Sequence, residues 1–274
     1  MGGYPMKLGI IQLAVTDDKN KNINRAIAEI RNLSEKGVDI VILPEMFNCP
    51  YNINYFPKFA EPSEGECWTL LSKAALENNI YLVGGSIPEI DDQGNIYNTS
   101  YIFDRNGVQI GKHRKIHLFD INIEGGQHFM ESKVLKAGDS VTVFDSEFCK
   151  IGVAICYDYR FPELSRLMVD KGAKIIIVPA AFNMTTGPAH WELLFRQRAV
   201  DNQVFSIGVA PSRNYNSSYV SYGNSIVVSP WGDVLLRLGE KEASEIIDIN
   251  LDMVDKVREE LPLLKHRRHD LYKY

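Results

Sequence analysis

The chain is written twice, and that constrains its fold more than any other feature. Lys7-Leu8-Gly9-Ile10-Ile11-Gln12-Leu13 reappears as Lys150-Ile151-Gly152-Val153-Ala154-Ile155-Cys156. Gly37-Val38-Asp39-Ile40-Val41-Ile42-Leu43-Pro44-Glu45-Met46-Phe47 reappears as Gly172-Ala173-Lys174-Ile175-Ile176-Ile177-Val178-Pro179-Ala180-Ala181-Phe182. Residues 79–84 match 203–208, and 100–107 match 225–232, in the same order and with slowly drifting spacing. Each copy reads strand, helix, strand, helix, then a run of strands. In the first copy a helix is expected over about 18–35, where Ile23, Ala26, Ile27, Ile30 and Leu33 share one face. A second is expected from Ser63, where Ser63-Glu64-Gly65-Glu66 has the form of a capping box, to about Asn78. The runs 40–43 and 175–178 are continuously β-branched or aliphatic, as in strands covered on both faces. Asp104-Arg105-Asn106-Gly107 and Ser229-Pro230-Trp231-Gly232 read as hairpin turns. Two such copies imply an α/β fold, a four-layer αββα sandwich with internal pseudo-twofold symmetry. No Gly/Ser/Pro linker separates the copies, so residues 1–274 are expected to form a single domain, with a core of about 6–250 and a C-terminal tail of about 251–274.

Composition narrows the function classes. Hydrophobic content of 45% and charged content of 24% are those of a soluble globular protein. A net charge of −5 offers no electrostatic case for nucleic acid or an anionic membrane. The basic cluster Lys265-His266-Arg267-Arg268-His269 is confined to the tail and reads as a solvated or subunit-contacting segment. No apolar run approaches the length needed to span a bilayer. The first apolar stretch, 8–15, ends in Asp17-Asp18-Lys19 without a basic leader or cleavage site, so no signal peptide is expected. Residues 1–5 read as an irregular leader. Four cysteines are too few for a disulfide scaffold and include no C-x-x-C pair. His113 and His117 are four apart but lack an H-E-x-x-H pattern, so neither a metal nor a cofactor is expected. A reducing, cytoplasmic compartment fits this cysteine usage.

Three residues stand where such a fold could do chemistry. Cys156 ends a buried strand at the point where polar chain begins. A thiol there is held rigidly while facing a cleft, although free cysteine also serves as a small buried hydrophobe. Reactivity requires a stabilised thiolate, which this segment alone does not establish. Its counterpart in the first copy is Leu13, so the architecture itself does not call for a thiol. Glu45 directly follows the 40–44 run and is either a loop cap or a buried acid with a raised pKa. Its counterpart is Ala180. Lys115 ends the cationic stretch Lys112-His113-Arg114-Lys115, which is either a solvated edge or, because it runs into Ile116 and Leu118-Phe119, a strand whose end turns inward. A buried lysine there needs a carboxylate partner. Equivalent strand ends bring Glu45, Cys156 and the Phe182-Asn183 corner to one rim, where ligands of α/β folds collect.

With Leu43-Pro44-Glu45, Arg114-Lys115-Ile116-His117-Leu118-Phe119-Asp120 and Ile155-Cys156-Tyr157-Asp158-Tyr159-Arg160-Phe161-Pro162-Glu163 in this order and spacing, the chain resembles the nitrilase, or carbon–nitrogen hydrolase, superfamily. The resemblance covers about 6–274. Asn48-Cys49-Pro50-Tyr51, Thr186-Gly187-Pro188-Ala189-His190-Trp191-Glu192 and Arg198-Ala199-Val200-Asp201-Asn202-Gln203-Val204 are similar to its omega-amidase branch. The resemblance implies a Glu45–Lys115–Cys156 triad with no metal or cofactor. It also implies a second active-site glutamate, for which Glu131 is the best match and Glu124 the alternative.

Those groups suit amide hydrolysis, because amides are poor electrophiles with poor leaving groups. Glu45 is expected to take the Cys156 proton. Lys115 and a backbone N–H after Cys156 would stabilise the oxyanion, Lys115 would favour the thiolate, and Glu131 would orient Lys115. The implied substrates are monoamides of small 2-oxo-dicarboxylic acids, 2-oxoglutaramate or 2-oxosuccinamate, giving the 2-oxo acid and ammonia. Tyr51, Tyr157, Thr185 and Thr186 are candidate substrate contacts, and Phe182 and Met184 candidate pocket walls. Arg160 is instead expected to pair with Glu163 at a helix start, and Trp191 to lie in the core or an interface. The triad does not separate this activity from sister ones: deaminated glutathione amidase, N-carbamoyl-amide hydrolase or nitrilase. A catalytically silent interaction module is the reading of another class, disfavoured because a scaffold has no need of all three residues. The family packs the helices of neighbouring sandwiches together, so a homodimer or larger homo-oligomer is expected, with the tail from Leu261 placed to cross to a neighbour.

Overall fold

The computed structural model describes residues 5–125 and 127–272. Most of the expected irregular leader lies outside the described residues. The elements run β1 (Met6–Gln12), α1 (Lys19–Ser34), β2 (Ile40–Ile42), α2 (Phe56–Phe59), α3 (Glu66–Asn78), β3 (Tyr81–Val83), β4 (Ile87–Ile90), β5 (Ile96–Phe103), β6 (Gln109–Arg114), β7 (Asp120–Asn122) and β8 (His128–Met130). The second half continues β9 (Thr142–Asp145), β10 (Lys150–Val153), α4 (Pro162–Asp170), β11 (Ile175–Pro179), α5 (Gly187–Asn202), β12 (Phe205–Val209), β13 (Ile226–Val228), β14 (Val234–Arg237), β15 (Ala243–Ile249) and α6 (Asp252–Glu260). One sheet has the order β15-β1-β2-β3-β5-β4 with β6 also on β5, and the other β14-β13-β12-β11-β10-β9. The parallel trio β1-β2-β3 repeats as β10-β11-β12, which is the sequence repeat in space. β15 returns from the second half to pair with β1 over its whole length, from Met6 opposite Ile249 to Gln12 opposite Ala243.

Why the runs are continuously apolar is now plain. Successive strand side chains point to opposite faces. Ile40 and Ile42 join Ile175 and Ile177 in a core between the two sheets. Val41 and Leu43 face α1 and α3 on one outer side. Ile176 and Val178 face α4 and α5 on the other. The result is the expected αββα layering. The repeated glycine has the same use in both copies. A Cβ on Gly9 would lie 2.9 Å from Leu33 of α1, and one on Gly152 2.8 Å from Met168 of α4, so only glycine lets each helix pack this closely.

One local expectation is corrected. The helix after residue 63 begins at Glu66 with Gly65 as its N-cap, not at Ser63. Glu64 takes a left-handed turn (φ 61°), and the Glu61 carboxylate accepts the Cys67 N–H at 2.7 Å, doing the capping from two residues before Ser63. The first helix, by contrast, is capped by Asp18 through the Lys21 N–H, as its position suggested. In the tail, Arg267 pairs with Asp170 at 2.6 Å and Leu264 packs on the second outer core, tying the basic cluster to its own chain. Among the described residues no helix is long and apolar enough to cross a membrane.

Candidate active site

The site forms where two strands stop abruptly. Immediately after Glu45 the backbone of Met46 is left-handed (φ 49°), and Cys156 itself is left-handed (φ 47°) at the start of a single 3-10 turn, Cys156–Arg160. For residues with a Cβ this conformation costs about 1–2 kcal/mol each. The counterparts in the repeat, Ala181 and Leu13, do not share it. Strain of this kind concentrates at functional sites, and here both strained corners face one another.

Glu45 is fully buried and multiply held. Its Oε1 accepts from Asn98 Nδ2 at 2.8 Å and Lys115 Nζ at 3.1 Å, with the Tyr51 hydroxyl at 3.4 Å. Its Oε2 accepts the backbone N–H of Ala181 at 2.7 Å. Cys156 is buried beside the same carboxylate, whose charge acts on its thiol. Lys115 is fully buried, so its strand end does turn inward, while Lys112 and Arg114 on the opposite face pair with Glu89. Lys115 Nζ also donates to Glu131 at 2.9 Å and to the Tyr51 hydroxyl at 3.2 Å. Glu131, also buried, is oriented by the Phe119 N–H at 2.7 Å and the Tyr51 hydroxyl at 2.5 Å. Glu124 is exposed on the turn between β7 and β8.

One ammonium between two carboxylates in a dry site has a definite electrostatic consequence. Burial pushes Glu45 above its usual range, a push that Lys115 partly offsets and Glu131 reinforces. Burial alone would discharge Lys115, but Glu131 and Glu45 reverse that and hold its pKa above the ordinary lysine value. Cys156 is raised well above a free thiol by burial and then by the Glu45 charge, with Lys115 only partly countering them. Lys115 does favour the thiolate, as expected of a cation beside it, but burial and the Glu45 charge outweigh it. The balance favours the protonated sulfur beside the Glu45 carboxylate.

The candidate substrate contacts divide. Tyr51 reaches the site, but its hydroxyl is committed to Glu131. Tyr157 is half-buried and edge-on to Phe119 and Phe161. Phe182 is buried on the second-half rim. Thr186 is buried with its hydroxyl on Asn183 at 3.1 Å, whereas Thr185 and Met184 are exposed. Trp191 is core, its indole N–H on the Asn224 carbonyl.

Comparison with known proteins decides the family. The Carbon-nitrogen hydrolase family profile matches residues 7–259. The chain belongs to the carbon-nitrogen hydrolase family. It is 49% identical to the omega-amidase NIT2 of Xenopus tropicalis over 266 residues, 97% of this chain and 96% of that protein. It is 47% identical to the omega-amidase NIT2 of Homo sapiens over the same shares. The crystal structure of Saccharomyces cerevisiae Nit3, a member of branch 10 of the nitrilase superfamily, superposes with a TM-score of 0.89 at 41% identity, covering 97% of this chain and 98% of that one. The resemblance read from the three motifs is thereby borne out, and with it the fold class and an enzyme that hydrolyses carbon–nitrogen bonds.

Several residues around this candidate site were not singled out from sequence. Asn98 comes from β5, whose Asn98-Thr99-Ser100 run is polar yet wholly buried. Tyr219, from the second half, packs its ring against Tyr51 with centroids 4.5 Å apart and donates to the Ala181 carbonyl. Asp158, two residues past Cys156, accepts from both His113 and His117, which accounts for that histidine pair. Arg160 does not pair with Glu163, which is exposed. The Phe161-Pro162 junction starts α4 and turns Glu163 outward, leaving Arg160 half-buried on the site side. Its guanidinium lies 4.6 Å from the Phe182 ring centroid and 3.1 Å from His190 Nδ1, with no carboxylate partner among the described residues.

Proposed function

We propose that the protein hydrolyses the terminal amide of a small 2-oxo-dicarboxylic acid monoamide, 2-oxoglutaramate or 2-oxosuccinamate, through a thioester on Cys156. The observation that carries the chemistry is the buried Glu45–Lys115–Glu131 cluster against a thiol on a strained turn. Glu45 accepts the thiol proton as sulfur attacks the amide carbonyl, so sulfur becomes anionic only as it bonds to carbon. A base with a raised pKa suits both halves of this shuttle. The oxyanion is met by the Lys115 ammonium and by the Tyr157 N–H, which as the first turn of a helix has no intrahelical acceptor. Each such donor is worth about 3 kcal/mol in the transition state. Protonated Glu45 then gives its proton to departing ammonia and next deprotonates the water that cleaves the thioester. Glu131 keeps Lys115 charged and aimed.

The acyl preference is supported by the similarity to omega-amidases over nearly the whole chain and by Arg160. Burial lowers the pKa of that guanidinium, and an incoming carboxylate would relieve the cost. The Arg160 guanidinium lies over the rings of Tyr157 and Phe182, two of the candidate contacts. The test is ammonia release across 2-oxoglutaramate, 2-oxosuccinamate, deaminated glutathione, N-carbamoyl-β-alanine and a simple nitrile. The first two are expected to be turned over far faster than the rest, and a preference for any other substrate overturns the assignment.

The subunits are proposed to form a homodimer through the outer face of α5 and the adjoining β13–β14 turn, where Leu193 and Trp231 are 62% and 55% exposed and Val200 and Leu261 extend the patch. Leu193→Glu combined with Trp231→Glu is expected to halve the solution mass. Four free cysteines support a reducing, cytoplasmic setting.

A further inference from the structure

We infer that Asp158 is a positioning residue that registers the Lys115 segment against the Cys156 turn, with His117 and His113 holding its carboxylate in place. Five donors converge on this one buried side chain. Oδ1 accepts the backbone N–H groups of Ile116 at 3.1 Å and His117 at 2.8 Å, and His117 Nδ1 at 2.8 Å. Oδ2 accepts the Ile155 N–H at 3.1 Å and lies 2.9 Å from His113 Nε2. Two of these amides are the ones that directly follow Lys115, and a third directly precedes Cys156. A single carboxylate therefore ties the chain just after Lys115 to the chain just before Cys156, across the two halves of the repeat. It also holds the strained turn closed, since its bond to the Ile155 N–H spans Cys156. The repeat counterpart of Asp158 is Val15, so the architecture does not demand an acid there. His117 is only partly buried and stacks on Phe161 at 3.7 Å, which separates its donor role from its packing role.

The proposal rests on Cys156 being the nucleophile, and its test keeps the two apart. Ammonia release from 2-oxoglutaramate and carboxamidomethylation of Cys156 by iodoacetamide, located by peptide mass, are measured on the full chain. His117→Asn keeps a nitrogen donor near the position of Nδ1 and is expected to stay within about threefold of the parent in both rates. His117→Phe keeps the stack and loses the donor, and is expected to lower kcat and labelling about tenfold with KM within about threefold. Asp158→Asn is expected to cost about 100-fold or more in kcat. Parental rates in His117→Phe or Asp158→Asn overturn the inference, as does a His117→Asn slower than His117→Phe, which is the pattern of a packing role alone. Cys156→Ala with undiminished ammonia release would instead remove the reading beneath it, whatever the histidine variants do.

Discussion

The Ala181 N–H donates to Glu45 Oε2 at 2.7 Å, so the carboxylate that ends a strand of the first half is fixed by the corresponding corner of the second. Each half brings what the other lacks. At equivalent strand ends stand Glu45 and Ala180, and Leu13 and Cys156. The Tyr219 hydroxyl holds the carbonyl of that same Ala181, so the Glu45 carboxylate is anchored through the backbone rather than by side chains alone.

Asn98 offers a way to move the base without touching it. Its amide donates to Glu45 Oε1 and favours the ionised form. Asn98→Ala removes that donor, so the Glu45 pKa rises further. The proton acceptor is the ionised form, and the acid limb of kcat/KM should therefore shift to higher pH, with kcat lowered about 10–100-fold at neutral pH. A pH–rate profile that superposes on the parent's contradicts this.

Lys115 tests the electrostatics. Lys115→Met leaves Glu45 and Glu131 buried together without their cation, and a broken buried pair costs about 3–5 kcal/mol of stability. Turnover should fall about 1000-fold or more, since the proposed oxyanion donor is gone too. Paired measurements of ammonia release and of denaturant midpoint decide it, and activity within tenfold of the parent would exclude Lys115 from the chemistry.

Arg160 tests substrate recognition. Arg160→Met should raise KM for 2-oxoglutaramate about 100-fold while leaving turnover of a short aliphatic amide, which has no carboxylate, within about threefold. Equal losses on both substrates would assign Arg160 to the support of Phe182 instead.

Away from the site, Glu89 predicts acid sensitivity. Burial would raise its pKa, but bonds from Arg114, Lys112 and Thr99 outweigh that and hold it below the ordinary 4.5. A depressed folded pKa contributes stability above pH 4.5 that is lost as pH falls through the folded value. Glu89→Gln should cost about 2 kcal/mol at pH 7 and flatten the acid limb of the stability–pH curve. Urea melts at pH 7 and below pH 4.5 check the pair of effects.

How much of this was legible in the sequence follows from the range of the interaction. Alternation within 40–43 and 175–178 is set by the two-residue period of a strand, so both faces of each sheet could be read directly. Glu45 and Cys156 were visible because each breaks an apolar run at a place where its repeat counterpart is apolar. Asn98 and Tyr219 act through partners 53 and 38 residues away, and no local pattern announces that. Arg160 was misjudged by a local rule, ion pairing at a helix start, which the Phe161-Pro162 turn overrides. Ser63 was misjudged in the same way, because the left-handed Glu64 leaves Glu61 as the cap.

The most direct test is intact mass of the enzyme acid-quenched during turnover of 2-oxoglutaramate, followed by peptide mapping. A gain equal to the 2-oxo acyl group, located on Cys156 and absent from Cys156→Ala together with ammonia release, is the predicted result. Ammonia released at the parental rate by Cys156→Ala, or an adduct on Cys49, Cys67 or Cys149 alone, would contradict it.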